Sequence, residues 1–355
     1  MHKLHFSIML MYLLTYQNVS FAQSEAGALF LTFKPGSRAN AMGGAQIAIA
    51  DDIFASYYNP AGLAKVKYVM AGFFQTEIWL NEQTHTYWGG VCKTKFGTFG
   101  FSFNHFSMLL NFNGMVSEQI EDSYERSFQF SYAQRARQNF LFGLNLKCVK
   151  QKWVYPLNNV IAYAITFDFG IMYENLLPDL TLFKRSKNRH ELLPKLDRGR
   201  PPGFSWGIDL QNTGPDRLEL LEPGQQDPLP QMLRVGIGYN AIDYDCLRFL
   251  LAFDLVKELV KRHKDGATDN FMKAWFTSWD DGLDYIHFGA ELTFFHVVAV
   301  RVGQEKIFNL YRNRSETEVT FGFGIGPEFA RVNLVRRGFP ASNEPGWVLD
   351  FCVSY

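Results

Sequence analysis

Ile161-Ala162-Tyr163-Ala164-Ile165-Thr166-Phe167-Asp168-Phe169-Gly170-Ile171-Met172-Tyr173-Glu174 is the stretch from which the fold reads most directly. All seven odd-numbered residues are large and apolar, whereas the even-numbered set holds alanine, threonine, aspartate, glycine and glutamate beside a single methionine. A helix would scatter the apolar set around its circumference; a strand places it on one face. The same alternation recurs at Phe99/Phe101/Phe103, Phe128/Phe130/Tyr132, Phe140/Phe142/Leu144/Leu146, Phe204/Trp206/Ile208/Leu210 and Leu233/Val235/Ile237/Tyr239. It continues at Leu247 to Leu255, Ile286 to Phe294, Val298/Val300/Val302 and Val319 to Ile325. With less regular strands near 69–80, 84–93 and 329–336 and a terminal one, about fourteen strands are expected.

Composition separates the ways such strands could be used. The 355 residues include 34 Phe, 16 Tyr and 29 Gly, yet mean hydropathy is only −0.12, and no apolar run of about 18 residues follows the N-terminus. That excludes a helical membrane bundle. It suits an all-β transmembrane antiparallel barrel in which alternate residues face lipid and a polar interior. The formal net charge is zero, so no basic field favours nucleic acid. Cys92, Cys148, Cys246 and Cys352 form no C-x-x-C pair, a poor metal signal, and are read as unpaired wall residues, with disulfides in an exported protein as the alternative.

Residues 1–22 read as a signal peptide: Lys3, an apolar core from Phe6 to Leu14, and Ser20-Phe21-Ala22 before Gln23. Residues 23–66 have small residues and turn formers without period-2 alternation, which suits a compact segment packed inside something else. Residues 67–355 form the barrel. Short connections near 94–97, 137–139, 243–245, 295–296 and 326–327 alternate with longer ones, as expected for tight inner turns and longer outer loops, with both termini on the turn side. The long basic stretch from Leu176 to Pro202 breaks this rule. Either a strand is miscounted there or it is an excursion on the turn side. The last segment, Trp347-Val348-Leu349-Asp350-Phe351-Cys352-Val353-Ser354-Tyr355, alternates to an aromatic C-terminus; the competing reading is the closing strand of a soluble sandwich.

Two blocks carry a family resemblance. Gly36-Ser37-Arg38-Ala39-Asn40-Ala41-Met42-Gly43-Gly44-Ala45, with Ala48 to Asp52 and Tyr57-Tyr58-Asn59-Pro60-Ala61-Gly62-Leu63, is similar to the N-terminal signature of the PorV/PorQ-like family, outer-membrane barrels related to the FadL fatty-acid channel. Gly207 to Pro215 and Asp227 to Gly236 resemble its mid-barrel stretch. The resemblance implies a fourteen-stranded FadL-like barrel in the bacterial outer membrane, with the N-terminal segment folded inward as a hatch.

No G-x-S-x-G, H-E-x-x-H or phosphate-loop motif is present, so no catalytic residue and no cofactor is expected. His287 and His105 lack a partnering serine motif, and Asp280, Asp281 and Asp284 read as a solvated acidic loop rather than a calcium site. The alternation points Asp168, Asp209, Arg234, Arg248, Asp254, Glu291, Arg301 and Asp350 into the lumen. Arg38, Met42, Gly43, Gly44, Asp51, Asp52, Asn59, Pro60 and Gly62 are the hatch residues expected to pack or gate against that network. Two functions follow for a plugged, non-enzymatic barrel. One is binding and shuttling exported cargo proteins in secretion of the type IX kind, with secretion-system components as partners. The other is transport of hydrophobic, fatty-acid-like molecules across the outer membrane.

Overall fold

The computed structural model describes residues 26–77, 83–108, 123–154, 159–184, 202–214, 217–219, 226–244, 246–263, 267–309, 314–327, 330–337 and 346–354; the expected signal peptide at 1–22 lies outside them. Fourteen strands make the wall: β1 Val69–Glu77, β2 Gln83–Thr94, β3 Gly97–Met108, β4 Ser123–Arg137, β5 Phe140–Val154, β6 Asn159–Leu176 and β7 Gly203–Thr213. They continue as β8 Met232–Tyr244, β9 Leu247–Glu258, β10 Tyr285–Phe294, β11 Val298–Asn309, β12 Arg314–Ile325, β13 Ala330–Arg337 and β14 Gly346–Ser354. Each pairs antiparallel with the next. β14 then pairs with β1, with Phe351 opposite Phe73, and the ring is closed.

Closure satisfies every wall strand's backbone without leaving an edge, the requirement for crossing lipid with strands. Side chains divide as the alternation demands. On β6 Ile161, Tyr163, Ile165, Phe167 and Phe169 are exposed on the outside, while Ala162, Ala164, Thr166 and Asp168 are buried inside. On β14 Trp347, Leu349, Phe351 and Val353 face out, and Val348 and Asp350 face in. The apolar residues of this protein thus lie largely on its outer surface, the inverse of a soluble core. No helix among the described residues is long and apolar enough to cross a membrane.

No strand is miscounted at the long basic connection, whose two ends lie at the turn end of the wall; residues 185–201 lie outside the described residues. β6 ends at Leu176 and β7 begins at Gly203 on the same rim, with a 3-10 turn at Pro178–Leu180 between them. Phe183–Lys184 then pairs in parallel with Ile242 and Asp243 of β8. That short addition covers the part of β8 extending past the start of β7. Cys92, Cys148 and Cys246 are exposed and none of the four cysteines is in a disulfide; Cys352 points inward instead, against the lumenal core.

Residues 26–66 run through the lumen. A 3-10 turn at Leu29–Thr32, α1 Ser37–Ala41, α2 Ala55–Tyr58 and a 3-10 turn at Pro60–Lys65 succeed one another before β1. Asn59 starts the last turn: its side-chain oxygen accepts from the Ala61 amide at 3.1 Å, and Pro60 occupies the first position, where its missing N–H costs nothing. Gly43 and Gly44, at φ 65° and 93°, reverse the chain after α1 in a conformation that side chains resist. The wall starts and ends at the turn side, but the first described residues do not lie there. The Gly27 amide donates to Pro228 O at 2.9 Å in the β7–β8 connection at the long-loop end. The hatch therefore traverses the barrel from the long-loop end to the turn end, a path that a segment without periodicity did not reveal.

Candidate functional site

The site is the contact between hatch and wall, and it begins with missing side chains. Inward positions of the wall where the hatch backbone passes are glycine: Gly72 against Ile53, Gly143 against Pro60 and Ala61, Gly170 against Asn59, Gly207 against Ile47, Gly289 against Met42, Gly303 against Gly43 and Gly322 against Ala41. At Gly207 a Cβ would stand 2.5 Å from Ile47 O, and at Gly289 it would stand 2.6 Å from Met42 O. Neither distance is tolerable. A glycine isolated within a strand marks close approach of another backbone, and here such glycines form a seat around the hatch.

Charged wall residues then hold what the glycines admit. Asp254 of β9 accepts from the Gln46 and Ile47 amides at 2.6 and 3.0 Å. Arg38 of α1 donates through Nε to Glu291 at 2.9 Å and through Nη1 to Asp51 at 2.6 Å, with Asp52 at 3.6 Å. Glu291 also accepts from Arg301 Nε at 2.7 Å. The chain runs on from Arg301 to Asn333 at 3.0 Å and from Asn333 to Asp350 at 2.8 Å. Asp350 accepts from the Ser37 amide at the start of α1. Arg38, Glu291, Arg301 and Asp350 are all buried. Such groups are tolerable there only because each meets opposite charge or hydrogen bonds.

A second polar group supports α2. Asp168 takes Lys147 at 2.8 Å, Asn145 at 2.6 Å and the Asn212 amide at 2.9 Å. Asn145 and Gln129 both donate to Ser56 O, at 2.8 and 2.7 Å, and Arg234 lies over the Tyr57 ring, 5.1 Å from its centroid. Asp209 faces Arg234 in register across β7 and β8. Asn59 joins hatch to hatch and to wall, donating to Ile47 O at 2.9 Å and Ile171 O at 3.1 Å. Gly62 fits against Ala50 O, where a Cβ would approach to 2.5 Å. Arg248 is buried but bonds Asp243 at 3.2 Å on the neighbouring strand. Alternation placed it in the lumen; it could not say which inward charges touch the hatch.

Above this belt, at the long-loop end, an apolar cluster fills part of the lumen beside the buried polar residues Glu125, Gln151, Ser123 and Ser127. Phe30 and Leu31 of the hatch are buried among Phe106, Val149, Ala162, Ala164, Leu218 and Leu229, with Phe33 edge-on to Phe106 at 5.0 Å. Below it, at the turn end, lies a polar cavity of about 340 Å³ between hatch residues Ala48, Ile49, Asp51 and Lys65 and wall residues including Arg135, Glu174, Ser205 and Asn240. Glu174 closes one side, paired with Lys65 at 2.9 Å and Arg135 at 3.1 Å. Lys34, Lys65, Lys147 and the glycine seat were not singled out from the sequence. The glycines carried a usable signal, since each stands in phase with the inward residues of its strand.

The remaining candidates part company. His287 faces the lumen, 3.2 Å from Glu305, which also takes Lys34 of the hatch; His105 is on the outer wall beside Arg126. Asp284 and Asp281 are paired with Lys257, at 3.0 Å, and with Lys261.

The chain superposes on barrels of known structure. The CymD monoaromatic hydrocarbon channel superposes with a TM-score of 0.51 at 13% identity, over 90% of this chain and 97% of CymD. The fold is a closed fourteen-strand antiparallel barrel of that kind. A deltaS2 mutant of the TodX monoaromatic hydrocarbon channel gives 0.50 at 10% identity, over 90% and 98% of the two chains. A FadL homologue of Pseudomonas aeruginosa gives 0.49 at 9% identity, over 90% and 95%. No family model and no curated protein matches the sequence. At these identities the likeness speaks for the barrel architecture alone.

Proposed function

We propose that this chain is a non-enzymatic, FadL-like barrel of the bacterial outer membrane that transports hydrophobic small molecules past its hatch. The observation that carries the reading is the apolar chamber at the long-loop end, where the chain's own Phe30 and Leu31 occupy a lining of Phe106, Val149, Leu218 and Leu229. A lumen in a membrane barrel needs no such lining to hold water, and an apolar solute that displaces Leu29–Thr32 would find one ready. The glycine seat and the Arg38–Glu291 belt then stand between that chamber and the polar cavity at the turn end. The barrels superposed above include two described as hydrocarbon channels, which accords with an apolar solute of aromatic or fatty-acid type.

The cargo-shuttle reading rests on the PorV/PorQ-like sequence resemblance and has no support in the structures superposed above. One pair of measurements separates the two. Purified barrel should show saturable binding of toluene or a long-chain fatty acid by quenching of Trp153, which packs against the chamber, and reconstituted barrel should speed the solute's entry into liposomes. Absence of both, with exported proteins co-purifying from native membranes, would replace transport by cargo binding.

A further inference from the structure

The outer wall carries one feature that neither the hatch nor the lumen uses. Near the long-loop rim the outward residues of β3, β4 and β5 become His105, Arg126 and Lys150, which with Tyr163 of β6 are successive cross-strand neighbours in a single row. One step higher, Tyr124 stands opposite Lys152. Arg126 donates to His105 Nδ1 at 3.1 Å and lies 3.8 Å from the centre of the Tyr124 ring. Lys150 sits 5.7 Å from the same ring and 5.5 Å from that of Tyr163. The aromatic rings and His105 thus hold the two cations in place without neutralising them. Among the described residues of β3 to β6 at this height, the acidic side chain, Glu125, alternates inward and is buried in the lumen.

What lies directly below decides the ligand. The next outward residues on the same four strands are Phe103, Phe128, Cys148 and Ile165, with Phe128 and Ile165 exposed. Phe103 packs on Phe128 at 4.9 Å and begins an aromatic sheet with Phe101 and Trp88. A fixed row of positive charge therefore caps a lipid-facing apolar wall, with about 7 Å along the strand between the two. The row spans four strands, roughly 14 Å at about 4.8 Å spacing, and its two cations, Arg126 and Lys150, stand on adjacent strands with Lys152 one step above Lys150; three clustered cations offer more charge than one phosphate requires.

We infer that this row is a binding site for a lipid carrying more than one phosphate, of the lipid A type, its phosphates on Arg126 and Lys150 and its acyl chains along Phe103, Phe128 and Ile165. Arginine and lysine are the side chains suited to phosphate, one as a planar fork and the other as a point charge. A headgroup bound there would be held electrostatically and its chains by contact, as the two-part surface provides. The inference requires the barrel to stand in a membrane with its long-loop end in the phosphate-bearing leaflet; it is independent of what the barrel transports.

Native mass spectrometry of the detergent-purified full chain, titrated with bisphosphorylated lipid A, monophosphoryl lipid A, phosphatidylglycerol and phosphatidylcholine, tests it. Bisphosphorylated lipid A should bind at least tenfold more tightly than phosphatidylcholine, with the single-phosphate lipids between. The double variant R126Q/K150Q should erase that preference while leaving phosphatidylcholine adducts and barrel folding, read by heat-modifiable gel mobility, unchanged. Inorganic phosphate should compete weakly. Equal binding of the four lipids, competition by inorganic phosphate as strong as by lipid A, or a preference that survives in the double variant would overturn the assignment. Should the double variant fold poorly, R126K alone, which keeps charge and loses the planar fork, should weaken lipid A binding severalfold, and an unchanged affinity would count against the site.

Discussion

Glu291 of β10 accepts the Nε–H of Arg38 at 2.9 Å, a hatch-to-wall ion pair in which both partners are buried. The same Glu291 oxygen also takes Arg301 at 2.7 Å, so a single carboxylate balances two guanidinium groups. Replacing it by glutamine should be costly, because breaking a buried ionic contact leaves the partner charge uncompensated, a loss of roughly 3 kcal/mol. Glu291→Gln should therefore lower the denaturant midpoint of hatch release, followed by protease access to residues 38–52 in the otherwise folded barrel. Unchanged protection would show that Asp51 alone suffices to hold Arg38.

Gly303 seats the Gly43 backbone so closely that any Cβ at 303 collides with it. Gly303→Val should displace the hatch and raise single-channel conductance in planar bilayers, while the wall still forms. Gly90→Val is the matched comparison. Gly90 faces outward, with its nearest atom 3.7 Å from a notional Cβ, and its valine variant should behave as the native protein does.

Removing the hatch outright extends the same logic. Intact protein should show no large steady pore, since residues 26–66 fill the lumen with mostly buried side chains. Deletion of Ala26–Ala64 should create one if the wall closes without it. A steady large conductance from the intact protein would refute the plug.

The loop between β9 and β10 offers a pH test away from the membrane-spanning strands. Asp269 accepts from Lys273 at 2.7 Å, His263 at 2.9 Å and Thr277 at 2.7 Å, tying α3, Phe271–Thr277, to the chain before it. These bonds, Lys273 first, hold its carboxyl well below the ordinary carboxylate range. A depressed folded-state value means the stabilisation is complete above the unfolded value near about 4 and is lost as pH falls through the folded value. Fluorescence of Trp275 and Trp279 should stay constant from pH 7 to about 4 and change only in stronger acid. Asp269→Asn should produce the acid form's spectrum at neutral pH, and high salt should weaken the contrast because Lys273 is exposed.

How much of this was legible in the chain varies with the physics. Strand phase was readable because lipid on one side and polar groups on the other enforce period 2 at every stave, so Asp168, Asp254 and Asp350 could be turned inward by counting. Which hatch groups each would touch could not, since phase alone does not reveal that Asp254 accepts from the Gln46 and Ile47 amides. The hatch's route was hidden for a related reason. Its conformation is dictated by the surrounding wall rather than by a period of its own, and the climb to Pro228 leaves no mark in the local sequence. The glycines at 143, 170, 207, 289, 303 and 322 stand in the inward phase yet were not singled out, because their meaning lies in encircling one segment.

Asp350 stands on the last strand and holds the first hatch helix at the Ser37 amide, while that last strand also zips onto β1, the strand that follows the hatch in the chain. Synthesis thus delivers the plug before any stave and its fastener after all the others. A ring sealed empty would strand Asp254, Glu291 and Asp350 without their hatch partners, so closure around the plug is favoured over closure without it. The plug serves as a mandrel that favours winding of the cylinder without being indispensable to it.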